Sequence, residues 1–254
     1  MDTSLYEMIF KRKSFHLFRN VGDARIGADE LEKIQDAWNS FSPLFPEIRT
    51  AIRIVPGEET TCQRGQEYCI LLYSEDRDGY LQNIGYLGEQ LDLYLVSKNI
   101  GTLWFGIGKT EETSYNGLDF IIMIAIRKVG DSSLFRRDMF KSKRKTADEI
   151  WRGETLEGVT DIVRFAPSAC NTQPWYVEND RESLRVFRYK KPEKRGIMPT
   201  DKISFYNCID IGIFLCFLEL CLQHWEIRFQ RQTLVEENSK EEKKLNAIYK
   251  IHGK

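Results

Sequence analysis

Histidine is scarce in this chain, and no two cysteines stand at the C-x-x-C spacing of a metal or redox centre. The three histidines, His16, His224 and His252, lack zinc-like spacing to any cysteine, so no metal site is expected. The six cysteines (Cys62, Cys69, Cys170, Cys208, Cys216 and Cys221) are spread over 254 residues. That is far larger than a disulfide-stapled scaffold, and all six are read as reduced thiols of a cytoplasmic protein. Cys216 and Cys221 lie in an apolar run, where a thiol packs as a small hydrophobe. An excess of one charge is also missing: 37 basic residues face 38 acidic ones, for a net charge of −1. This balance argues against a nucleic-acid or membrane partner and requires any bound anion to be caught by a local basic cluster. The most apolar stretch, residues 209–222, is about 14 residues long and carries Asp210 and Glu219, whereas a membrane span needs about 20. Residues 1–10 have no apolar signal core. Gly106-Ile107-Gly108 has no third glycine downstream, so a dinucleotide-binding loop is not supported.

The patterning that remains is that of an α+β chain. Residues 29–40 place Leu31, Ile34 and Trp38 at helical spacing, with Asp29 as a cap. Residues 82–99 and 147–165 read as helices, 209–223 as a buried helix closed by His224, and Ser4 as the cap of a short helix running towards Arg12. Strands are expected at 51–55, 68–73, 120–127, 176–177, 184–189 and 227–229. Gly65 reads as a turn, and the Glu- and Lys-rich tail after residue 236 as a solvated helix or frayed end.

The chain also repeats itself. Lys11-Arg12-Lys13-Ser14 recurs as Lys143-Arg144-Lys145-Thr146. Leu31-Glu32-Lys33-Ile34-Gln35-Asp36 is echoed by residues 156–161, and Gly88-Glu89-Gln90-Leu91 by Gly212-Ile213-Phe214-Leu215. The offset, roughly 124 to 132 residues, suggests duplication of a whole α+β unit. Two halves, 1–135 and 136–254, would pack about a pseudo-two-fold axis into one globular unit.

Two constellations carry chemistry. Arg12, Lys13 and Ser14 offer a planar fork, a point charge and a short donor, a set able to hold a phosphate; a solvated basic turn is the plainer reading of the same residues. The string Ala166-Pro167-Ser168-Ala169-Cys170-Asn171-Thr172-Gln173-Pro174-Trp175 is more specific. Its hydroxyl and amide groups can pair with the edge of a heterocycle, and Trp175 adds a rigid surface.

This string resembles the signature loop of the FMN-dependent nitroreductase family. Residues 12–18, with Arg12, Lys13, Ser14 and Phe18, are similar to the family's opening basic motif, and Gly101-Thr102-Leu103-Trp104-Phe105-Gly106 to its segment after the central helix. The resemblance spans residues 10 to 230. At the place in the first half where the loop belongs, residues 40–46 have lost Asn-x-Gln-Pro-Trp. The chain is thus most similar to the internally duplicated nitroreductase-like branch.

The resemblance implies a nitroreductase-like α+β fold of two pseudo-symmetric halves, with mixed, mainly antiparallel sheets surrounded by helices. It implies an FMN-dependent oxidoreductase, reduced by NADH or NADPH and reoxidised by a nitroaromatic, quinone or related small-molecule acceptor in ping-pong order. The alternative is a flavin-binding or redox-sensing protein without turnover. Arg12, Lys13 and Ser14 would contact the FMN phosphate and ribityl chain. His16 would stand near the flavin N1–O2 edge in place of a permanent cation, although histidine changes charge near pH 6.5. Trp104 and Gly106 would lie near the ring, and Pro167, Ser168 and Asn171 would line the flavin. Arg144 and Lys145 match either the family's late basic motif or a relic of the duplicated opening motif. No side chain is assigned a catalytic role, since the flavin carries the hydride. The chain is expected to act as a monomer, a pseudo-dimer in one polypeptide.

Overall fold

The computed structural model describes residues 1–191, 196, 198–235 and 242–252. The chain divides into two compact units: residues 2–80 with 87–139, and residues 1, 81–86 and 140–254.

The first unit carries α1 (Tyr6–Lys11), α2 (Ala28–Ser40), β1 (Thr50–Pro56), β2 (Tyr68–Ser74), most of α3 (Tyr80–Ser97), β3 (Ile100–Phe105), β4 (Ser114–Tyr115) and β5 (Leu118–Lys128). Its sheet runs β1-β2-β5-β3, antiparallel throughout, with β4 paired to β5. β2 is buried along nearly its whole length, which accounts for its unbroken apolar sequence. α3 stops where Asn99 turns into the left-handed region, φ 54°, a routine conformation for asparagine past a helix end. β3 starts at once, and Ser14 bridges to Thr102 beside it. Phe15 stacks on Phe18 at 5.8 Å and meets the edge of Phe135 at 5.4 Å, sealing the core beneath the basic motif.

The second unit carries α4 (Ala147–Ile150), β6 (Trp151–Gly153), α5 (Thr160–Val163), β7 (Trp175–Asn179), β8 (Ser183–Tyr189), α6 (Ile203–His224), β9 (Arg228–Thr233) and β10 (Lys243–His252). Its sheet runs β6-β7-β8-β10-β9. Only β6–β7 is parallel. Leaving β6 aside, β7-β8-β10-β9 reproduces the order and direction of β1-β2-β5-β3. In each unit the third strand in sequence lies at the edge, after a long helix, and the last strand inserts between it and the second.

Two expectations from sequence fail here. Residues 147–165 are not one helix. Trp151 pairs with Val177 as a strand, and Gly153 (φ 93°) and Gly158 (φ 71°) adopt left-handed conformations that a helix excludes. At Gly153 a Cβ would sit 1.9 Å from the Asn179 carbonyl oxygen. The tail is likewise no frayed helix: its residues 236–241 lie outside the described set, and 243–252 form the strand between β8 and β9. Ala247 and Tyr249 alternate inward there, a two-residue period hidden by the surrounding lysines.

α6 is the one helix among the described residues long and apolar enough to cross a membrane, but most of it is buried inside the protein. Within the second unit it crosses the first turns of α3. A Cβ on Gly85 would lie 2.0 Å from the Ile209 carbonyl oxygen, and one on Gly212 2.0 Å from that of Gln82. The contact is reciprocal: each glycine faces the residue three before the other. This pairs Gly85, rather than Gly88, with Gly212. No side chain fits between backbones that close. Gly212→Ala is expected to lower the unfolding free energy by about 3 kcal/mol in urea titration. Gly27→Ser, where a Cβ meets nothing within 4 Å at the start of α2, should change it by less than about 0.5 kcal/mol.

Candidate functional site

In the first unit the basic motif is fixed by a carboxylate from α3. Arg12 is only 3% exposed. Its Nε and Nη2 donate to Asp92 Oδ2 at 3.0 and 2.9 Å. Thr102 Oγ1 donates to Asp92 Oδ1 at 2.5 Å and Trp104 Nε1 to Oδ2 at 3.0 Å, so the fully buried Asp92 accepts four hydrogen bonds. Burial opposes the charge of Arg12, but Asp92 and Glu89 more than offset it and hold the guanidinium above its ordinary pKa. Glu89, 3.8 Å from Arg12 Nε, is raised well above its ordinary carboxylate pKa by burial and by Asp92.

Lys13 and Ser14 emerge from this clamp half-buried. Lys13 Nζ sits 4.6 Å from the Phe15 ring centroid. Sequence reasoning missed its neighbour Arg136, whose backbone N–H donates to the Lys11 carbonyl at 2.9 Å. Burial and then Arg136 lower the pKa of Lys13, while burial and then Arg12 push Arg136 down to about 10. Among the described residues neither Lys13 nor Arg136 pairs with a carboxylate. Two partly buried cations that repel one another form a positive site, with Ser14 next in the chain. His16 is exposed, and Trp104 and Gly106 are half-buried. The Trp104 indole N–H is bound to Asp92.

In the second unit the signature loop is tightly folded. Cys170, Asn171 and Gln173 all have positive φ, at 50°, 56° and 49°, a concentration of left-handed non-glycine residues typical of functional loops. Three contacts hold it. The Ala169 N–H donates to Asp210 Oδ1 at 2.9 Å. The Gln173 N–H donates to Ser168 Oγ at 3.0 Å. The Lys145 N–H donates to Gln173 Oε1 at 2.8 Å. Arg144 Nη1 donates to Asn171 Oδ1 at 2.8 Å, and Asn171 Nδ2 donates to the Lys143 carbonyl at 3.2 Å. The second basic motif therefore lies against the loop. Pro167 is buried, Ser168 half-buried and Asn171 exposed. Trp175 is wholly buried against Phe214, ring centroids 4.9 Å apart, and is a core residue rather than a binding surface.

Asp210 also went unassigned in the sequence, although an acid within an apolar helix is a visible signal. Burial pushes it up to about 8, against about 3.9 in an unfolded chain. Between those values the folded protein keeps a proton that the unfolded chain releases, so stability falls as pH rises from about 4 to about 8 and then levels, with a slope up to about 1.4 kcal/mol per pH unit. Asp210→Asn should remove that component while its side-chain oxygen still accepts from Ala169. Urea titrations between pH 5 and 8 check this, and an unchanged slope in the variant would rule it out.

The family model described as "Putative TM nitroreductase" matches residues 4–222. No curated protein matches the chain. Among solved structures, a putative nitroreductase from Thermotoga maritima MSB8 is similar over 97% of this chain and 92% of its own, with 16% identity and a TM-score of 0.60. A nitroreductase family protein from Clostridium difficile 630 covers 59% of this chain and 98% of its own, at 14% identity and a TM-score of 0.45. A putative nitroreductase in complex with FMN from Desulfovibrio desulfuricans covers 61% and 100%, at 14% identity and a TM-score of 0.43. The match to the family model over most of its length, on an α+β framework of antiparallel-dominated sheets, makes this chain a member of the nitroreductase family.

Proposed function

We propose that this nitroreductase-family chain is an FMN-dependent oxidoreductase that takes electrons from NADH or NADPH and passes them to a small oxidised acceptor. The carrying observation is the pair Lys13 and Arg136, with Ser14 next to Lys13 in the chain. A single terminal phosphate fits that donor set of two cations and a hydroxyl. Within the second unit, the signature loop by itself presents groups that suit a flavin and its ribityl chain: the Ser168 hydroxyl and the exposed Asn171 amide.

When bound, FMN supplies the hydride and single-electron chemistry. The chain's own residues bind and orient. Lys13, Ser14 and Arg136 neutralise the phosphate dianion. Arg12, held by Asp92, fixes the backbone that carries Lys13 and Ser14, and this reading gives it a positioning role in place of direct phosphate contact. The Asp92 clamp also holds the Trp104 indole in one orientation, with Gly106 and His16 assigned to the ring's surroundings. Pro167 stiffens the start of the signature loop, and Asp210 holds its backbone. Arg144 holds Asn171 in place, and Lys145 reaches the loop through Gln173.

Flavin titration followed by fluorescence checks the assignment. Arg136→Ala should weaken FMN by about 10- to 150-fold, the loss of one charge-assisted hydrogen bond, and riboflavin little. Equal losses for both would place Arg136 away from the phosphate. Asn171→Ala should weaken both ligands, and Ser42→Ala, in the first-half segment that lacks the motif, neither. Bleaching of the bound flavin by NADH or NADPH, with colour restored by a quinone or nitroaromatic, distinguishes turnover from flavin binding alone.

A further inference from the structure

The first unit holds a pair of thiols that the proposed flavin chemistry does not use. Cys69 lies on β2 and Cys62 in the loop before it. Both are buried in one cluster. The two side chains interact, the Cys69 thiol favouring the Cys62 thiolate. The surroundings hold them in register. Thr60 Oγ1 lies 3.3 Å from Cys69 Sγ and accepts the Cys62 N–H at 3.2 Å. Gln66 receives the Cys62 thiol at 3.5 Å and returns a hydrogen bond to the Cys62 carbonyl. Thr61 and Gln63, on either side of Cys62, are exposed.

We propose that Cys62 and Cys69 form a peroxide-sensitive dithiol that closes to a disulfide in the folded protein. The Cys69 thiol, together with Arg64, lowers the pKa of Cys62 and favours its thiolate, the reactive form. The thiolate attacks the outer oxygen of a hydroperoxide. An S–O bond forms, the O–O bond breaks, and the departing oxygen takes up a proton and leaves as alcohol or water. Cys69 has been held protonated chiefly by its interaction with Cys62, and oxidation of Cys62 removes that restraint. Its sulfur then attacks the Cys62 sulfenic acid, the S–O bond breaks, and the hydroxyl leaves with the Cys69 proton as water. Two thiols lose two electrons and two protons, and one hydroperoxide is reduced. Of the other cysteines, Cys170 is exposed in the signature loop, and burial pushes Cys221 upward within α6.

The test uses the full chain, folded, treated with hydrogen peroxide, quenched, denatured and alkylated. Alkylatable thiols should fall from six to four. Trypsin cuts after Arg53, Arg64 and Arg77, so Cys62 and Cys69 fall in separate peptides, 54–64 and 65–77. A linked pair of these peptides, two hydrogens lighter than their sum and split by dithiothreitol, should appear only after oxidation. Cys170→Ser should leave its yield unchanged, and in Cys62→Ser Cys69 should remain alkylatable. Six alkylatable thiols after treatment, loss of the linked pair in Cys170→Ser, or Cys62 recovered as sulfinic acid with Cys69 free would each overturn the proposal.

Discussion

A carboxyl group on the buried face of a helix must find donors there, because an unpaired charge cannot be held in an apolar core. Asp92 on α3 and Glu219 on α6 meet that requirement in the same way. Asp92 gathers Arg12, Thr102 and Trp104. Glu219 gathers Tyr86 at 2.7 Å, Tyr249 at 2.8 Å and Arg231 at 2.6 Å. Each ties its helix to a strand that follows it, Trp104 on β3 and Arg231 on β9. Asp92 does one thing more: through Arg12 it fixes the basic motif against β3.

The two clamps stand in equivalent places. Gly85 and Gly212, Asp92 and Glu219, and Trp104 and Arg231 are all 127 residues apart. With the shared strand order, this supports a duplicated unit more firmly than the weak sequence echoes do. The two units differ in chemistry. In the first unit the arginine comes from the stretch after α1, and its neighbours Lys13 and Ser14 are half-buried. In the second the arginine comes from the strand itself, and the second basic motif rests against the signature loop instead.

Much of this was legible in the sequence. The unbroken apolar runs of β2 and β5 and the all-round apolar helix α6 read correctly because a buried element needs no polar face. The signature loop was found because it is a local string. What escaped was non-local. Arg136 stands more than a hundred residues from Lys13 in sequence and meets it only through the fold. Asp210 and Asp92 look like flaws in apolar helices until their donors are known. β10 was missed because its register, with a bulge between Leu245 and Ala247, breaks the alternation that would have marked it.

The order of strands along the chain also sets an order of assembly. The first sheet is complete once residues 50 to 128 exist. In the second, β8 and β9 never pair with each other; each pairs with β10, the last to be made. As the chain grows, the first sheet can close early, while the edges of β8 and β9 and the Gly85 face of α3 wait exposed for later residues. Synthesis thus leaves the second unit open longest. The interval before β10 arrives is when unpaired strand edges are open to wrong partners.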